Sequence, residues 1–127
     1  ISKTTRELVA FMKSRPEVEK VLFPLDPGFD QYELASSQMS GACGLFTAIL
    51  RCRDVNKIER FCEELHAFKM AVSWGGHESL VIPRCAGVPR SDFNPDNEEH
   101  RMVRFYIGLE TPDYLIRDLE EGMKRLG

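Results

Sequence analysis

The alternation of apolar and polar positions divides the chain into segments of two periods. Leu8, Phe11 and Met12 share a face over residues 4–14, which predicts a first helix. Thr4 and Glu7 have the spacing of a capping box, and Pro16 ends the segment. Val18, Val21 and Phe23 then predict a short strand running to Pro24, followed by a turn at Asp26-Pro27-Gly28. Residues 30–39 read as a helix stopped at Ser40-Gly41. Residues 44–52 are almost wholly apolar from Leu45 to Leu50, as a strand buried inside a sheet requires.

Asp54 is placed to cap a helix in which Val55, Ile58, Cys62 and Leu65 recur at helical spacing. Two extended pieces follow, near 71–73 and 79–82. Between them Gly75-Gly76 reads most simply as a hairpin turn. Residues 83–100 are loop-like, rich in proline and charge. Residues 102–107 form a last strand. Thr111-Pro112 opens a final helix with Leu115, Ile116, Leu119 and Met123 on one side, predicted to cover the sheet. This order fits an α+β fold: a small, mainly antiparallel sheet with helices on one face.

The length of 127 residues suits one compact domain, and the net charge of -3 is mild. Cations are scattered, so nothing points to nucleic acid. No apolar run approaches a membrane span, and the polar opening residues predict no signal peptide. Cys43, Cys52, Cys62 and Cys85 lack C-x-x-C pairing and zinc-finger spacing to His66, His77 or His100. They are expected to be reduced thiols of a cytoplasmic protein, and no metal site is expected.

Arg104 stands out within Met102-Val103-Arg104-Phe105-Tyr106-Ile107. Strand alternation puts Val103, Phe105 and Ile107 on one side and Arg104 on the other, with Met102 and Tyr106. There its guanidinium meets solvent or an anion, and its planar fork suits a carboxylate. Ser73-Trp74-Gly75-Gly76-His77 is the second candidate, because paired glycines let a backbone approach a ligand closely. The glycines are not followed by Lys-Ser or Lys-Thr, which excludes a phosphate loop. His77 has no partners for a catalytic triad.

Three ordered motifs carry a resemblance. Ser73 to Leu80 (SWGGHESL), Val103 to Glu110 (VRFYIGLE) and the helix from Asp113 to Glu120 resemble segments of the Cys/Met metabolism family of pyridoxal-phosphate (PLP) enzymes. Arg15-Pro16-Glu17-Val18 and Met39-Ser40-Gly41 with Gly44-Leu45-Phe46 are similar to two upstream segments of that family. The likeness spans the chain except about 84–101. It implies the C-terminal subdomain of a fold-type I enzyme, in which Ser73 and Arg104 hold the substrate's α-carboxylate and Trp74 lines the pocket.

The Ser-Trp-Gly-Gly form, with residues 68–71 before it, is similar to that of bacterial cystathionine β-lyases. The same scaffold also serves cystathionine γ-lyases, γ-synthases and methionine γ-lyases. The family's Schiff-base lysine sits in an S-x-T-K type segment that this sequence does not contain. The resemblance therefore implies that PLP is bound by a large domain outside this chain. It further implies that the chain holds no catalytic residue and is inactive alone, and that the intact enzyme is a homo-oligomer, a tetramer, acting on an amino acid such as cystathionine. A stand-alone carboxylate-binding or interaction module is the alternative of another class.

Overall fold

The structure is a computed structural model that describes residues 2–38, 44–71 and 76–127. The first helix, α1 (Ser2–Ser14), buries Leu8, Val9 and Met12. It begins before Thr4, so the expected capping box at its start is not formed; Thr4 already lies within the helix. Strand β1 (Val18–Leu22) follows, then the turn at Asp26, whose carboxylate accepts from the Gly28 N–H at 3.2 Å and pairs with Lys13 at 2.7 Å. The short α2 (Tyr32–Gln38) contributes no buried residue.

Strand β2 (Leu45–Leu50) leads to α3 (Val55–Glu63), capped by Asp54, whose carboxylate accepts from the Asn56 N–H at 2.9 Å. Strands β3 (Lys69–Met70) and β4 (Leu80–Pro83), strand β5 (Met102–Tyr106) and helix α4 (Pro112–Met123) complete the elements that build the core. The strands lie in the order β1-β2-β5-β4-β3. Every neighbouring pair is antiparallel except β3–β4, which is parallel with Lys69 opposite Leu80 and Met70 opposite Val81. A two-residue turn joins only antiparallel strands. β3 and β4 are therefore not the two arms of the expected hairpin, and Gly75 lies outside the described residues.

Residues 83–100, expected as loop, are organised into 3-10 turns at Arg84–Gly87, Arg90–Asp92 and Glu98–Arg101. Arginines fasten them. Arg101 is buried and donates to Glu19 at 2.9 Å, the Leu50 carbonyl at 2.7 Å and the Pro95 carbonyl at 2.9 Å. Arg90 reaches Asn56 and Glu59, and Arg53 reaches Asp96.

The core lies between one sheet face and the helices. Register places Phe46, Ala48, Val103, Phe105 and Val81 on that face, all buried. Phe46 stacks on Phe105 at 5.1 Å, and Phe68 meets Phe105 edge-on at 5.5 Å. Helix α1 lies against β1 and β2, α3 against β3 and β4, and α4 against both helices. A Cβ on Gly122 of α4 would sit 2.7 Å from Leu65 and 3.2 Å from Phe61, so glycine lets α3 and α4 approach closely. Asp118 of α4 is buried and accepts from the backbone N–H groups of His66 (3.0 Å) and Ala67 (2.7 Å), fixing the turn between α3 and β3. The α+β architecture with helices on one face is the one the sequence predicts. Among the described residues no helix is long and apolar enough to cross a membrane.

Candidate carboxylate-binding site

Strand β5 is the central strand of the sheet. Its apolar residues Val103 and Phe105 face the helices, so alternation turns Met102 and Arg104 to the opposite face. Arg104 is flanked in register by Thr47 of β2 and Ile82 of β4, and all three are half-buried. They line a groove of about 350 Å³ together with Met102, Pro83, Arg84 and Gly87. A guanidinium in a groove walled largely by Ile82, Pro83 and Met102 suits a ligand with an anionic end, because its hydrogen bonds strengthen where water is scarce.

Ser73 and Trp74, the other expected contacts, lie outside the described residues. The residues just after them are described, and they are fastened to the end of β5. The Tyr106 hydroxyl donates to the Gly76 carbonyl at 2.8 Å, and the Leu109 N–H to the His77 carbonyl at 2.9 Å. Ser79, fully buried, donates from its hydroxyl to one Glu110 oxygen at 2.7 Å and from its backbone N–H to the other at 3.2 Å. The same hydroxyl accepts from the Gly108 N–H at 2.9 Å. A Cβ on Gly108 would lie 2.3 Å from the His77 carbonyl oxygen, so only glycine permits this contact.

Ser79, Gly108 and Glu110 were not singled out from the sequence, although each stands inside a motif quoted above. The available signal was a carboxylate ending one motif and a hydroxyl inside the other. His77 is solvent-exposed, 3.8 Å from Glu78. Lys69, bonded to Glu78 at 2.9 Å, holds that carboxyl below the usual carboxylate range. Cys52, Cys62 and Cys85 are free, and Cys43 lies outside the described residues. Burial pushes the Cys85 thiol up to about 11 and the Cys62 thiol higher still. Among the described residues no group of three or more His, Cys, Asp or Glu is arranged to hold a metal ion.

Residues 1–124 match the sequence pattern of the Cys/Met metabolism PLP-dependent enzymes. The chain belongs to this family. It is 36% identical over 118 residues to bovine cystathionine γ-lyase, covering 90% of this chain and 29% of that protein. It is 30% identical over 130 residues to the cystathionine β-lyase of Escherichia coli, covering 98% of this chain and 32% of that protein. An L-alanine/L-glutamate racemase of Wolbachia pipientis is 32% identical over 125 residues, covering 97% of this chain and 31% of that protein. The chain thus spans under a third of the relatives it matches.

A candidate O-acetylhomoserine (thiol)-lyase from Campylobacter jejuni, solved with pyridoxyl-lysine phosphate, shares the fold. The TM-score is 0.80 at 22% identity, over 97% of this chain and 30% of that one. The family depends on PLP. Among the described residues the Arg104 groove is lined by neither a lysine, which an imine needs, nor a carboxylate, which a pyridinium nitrogen would pair with. The lining suits an anionic group and does not fit the cofactor.

Proposed function

We propose that this chain is the substrate-carboxylate-binding C-terminal domain of a PLP-dependent lyase that cleaves a C–S bond in a cystathionine-type amino acid. The observation that carries this reading is Arg104, set on the central strand and lining a largely apolar groove. In this reading Arg104 and Ser73 grip the α-carboxylate and Trp74 closes the pocket. The fastening of Gly76 to Tyr106, two residues from Arg104, supports bringing Ser73 to the same place.

PLP supplies the electron sink of the reaction, and the lysine that carries it belongs to a large domain outside this chain. The chain's own work is to bind and orient the substrate. The intact enzyme is an oligomer in the cytoplasm, and the chain by itself is inactive. The Ser-Trp-Gly-Gly sequence favours β-elimination, whereas the 36% identity to a γ-lyase favours cleavage on the γ side.

Steady-state kinetics of the PLP-loaded enzyme carrying this chain, with L-cystathionine, test the clamp. Arg104→Ala is expected to lower kcat/KM roughly 30- to several-thousand-fold, the range for truncating one side of a charge-assisted pair. Arg104→Lys is expected to restore only part, since an ammonium lacks the fork. The loss falls largely in KM if substrate and transition state are gripped alike. Wild-type kcat/KM in Arg104→Ala would remove the central residue of the proposal.

A further inference from the structure

The bonds that fasten residues 76–79 to the end of β5 fall into two sets with different surroundings. The first set holds 77–79. The His77 carbonyl accepts from the Leu109 N–H, and Ser79 donates to Glu110 and accepts from the Gly108 N–H. Ser79 is fully buried and Gly108 has no room for a Cβ, so this set belongs to the packed fold.

The second set is the bond from the Tyr106 hydroxyl to the Gly76 carbonyl, 2.8 Å long. Gly76 is exposed, and a Cβ there would meet nothing within 4 Å. An exposed glycine gains little from packing and has the most backbone freedom to lose. A hydrogen bond therefore matters more at Gly76 than at 77–79, and Gly76 is three residues from Ser73.

Tyr106 is itself firmly placed. It is 5% exposed and paired in register with Leu45 on one side and Leu80 on the other. A Cβ on Gly44 would lie 3.0 Å from its ring, so the backbone at Gly44 approaches the ring closely. A tyrosine packed in this way has few rotatable bonds and delivers its hydroxyl at a fixed reach. Strand alternation puts the ring on the face of Arg104, two residues away.

We propose that Tyr106 is a positioning residue: by holding the Gly76 backbone it sets where Ser73 presents its hydroxyl to the carboxylate gripped by Arg104. The proposal rests on the carboxylate roles of Ser73 and Arg104 given above. It makes one strand supply both the cation of the clamp and the tether of its second arm.

A double-mutant cycle in the PLP-loaded enzyme carrying this chain, with L-cystathionine, tests it. Ser73→Ala is expected to lower kcat/KM about five-fold or more. Tyr106→Phe keeps the ring and removes the donor. It is expected to lower kcat/KM about three- to ten-fold, chiefly through KM, but less than about two-fold once Ser73 is alanine. Hydrogen exchange read by mass spectrometry is expected to quicken over residues 73–78 in Tyr106→Phe and to stay unchanged over 107–110.

Equal losses from Tyr106→Phe in the two backgrounds would assign the hydroxyl to the fold and overturn the proposal. Unchanged exchange over 73–78 would overturn it too. If Ser73→Ala loses activity while Tyr106→Phe keeps wild-type kcat/KM, the Tyr106 proposal alone fails. If Ser73→Ala keeps wild-type kcat/KM, the carboxylate role of Ser73 fails, and the Tyr106 proposal with it.

Discussion

The two faces of one sheet are made differently. On the helix side, Phe46, Ala48, Val81, Val103 and Phe105 are buried to the last few per cent and interlock with α1, α3 and α4. On the other, Thr47, Ile82, Met102 and Arg104 stay half-exposed around a groove. Successive residues of β5 belong to opposite faces, so one strand serves both. The first face is complementary to its own chain and stabilises the fold. The second is partly open and lines a groove with Arg104 at its centre. A central strand suits the second task, because pairing on both edges fixes the position of Arg104.

The adjacent pair Phe105 and Arg104 gives the sharpest way to break this comparison. Phe105→Ala is expected to cost about 3–5 kcal/mol, since it removes the ring that contacts both Phe46 and Phe68. Arg104→Ala is expected to cost about 1 kcal/mol or less of stability. Urea unfolding of both variants decides; comparable losses would show that the open face also serves the fold.

The clamp between the motifs comes next in size. Ser79→Ala deprives Glu110 of one donor and Gly108 of its acceptor, at an expected cost of about 1–3 kcal/mol. Glu110→Gln keeps one acceptor oxygen and should cost less. Hydrogen exchange at Gly108 and Leu109 would report the loosening directly; unchanged protection there would show that the clamp does not hold the turn.

A further effect is a pH dependence on the core side. Burial raises the Cys85 thiol from 9.0 to about 11. Below 9.0 the folded and unfolded chains both keep the proton, and the contribution of the group to stability is complete. From 9.0 to about 11 only the unfolded chain releases it, so stability falls as pH rises. Cys85→Ala should flatten that part of the profile. Equal slopes in the two proteins, measured by urea midpoints across this window, would show that Cys85 ionises alike in both states.

The elements with strong periods were legible in the sequence. Ile58 and Cys62 of α3, the apolar run of β2, and Leu115, Leu119 and Met123 of α4 each state their burial locally, and the structure agrees. The parallel pairing of β3 with β4 was not legible, because it depends on which distant strand each one meets rather than on Gly75-Gly76 between them. Nor were the 3-10 turns of 84–101, where three-residue bonding leaves no apolar period and the fastening comes from arginines far along the chain. Of the candidate site, strand alternation alone predicted the face of Arg104. The Ser79–Glu110 contact was hidden, since it joins residues 31 positions apart that carry no shared period.

The position of β5 bears on how the chain is made. It is the last strand in sequence and the middle strand in space. Until it emerges during synthesis, β1–β2 and β3–β4 are separate two-stranded ribbons, each with an unsatisfied edge and half a core. Isolated ribbons of that size are marginal, and open edges invite association with other chains. A nascent or truncated chain ending before residue 102 therefore presents two sticky halves to its neighbours. The strand that joins them also delivers Arg104, so a chain that fails to close its sheet also lacks the central cation of the groove.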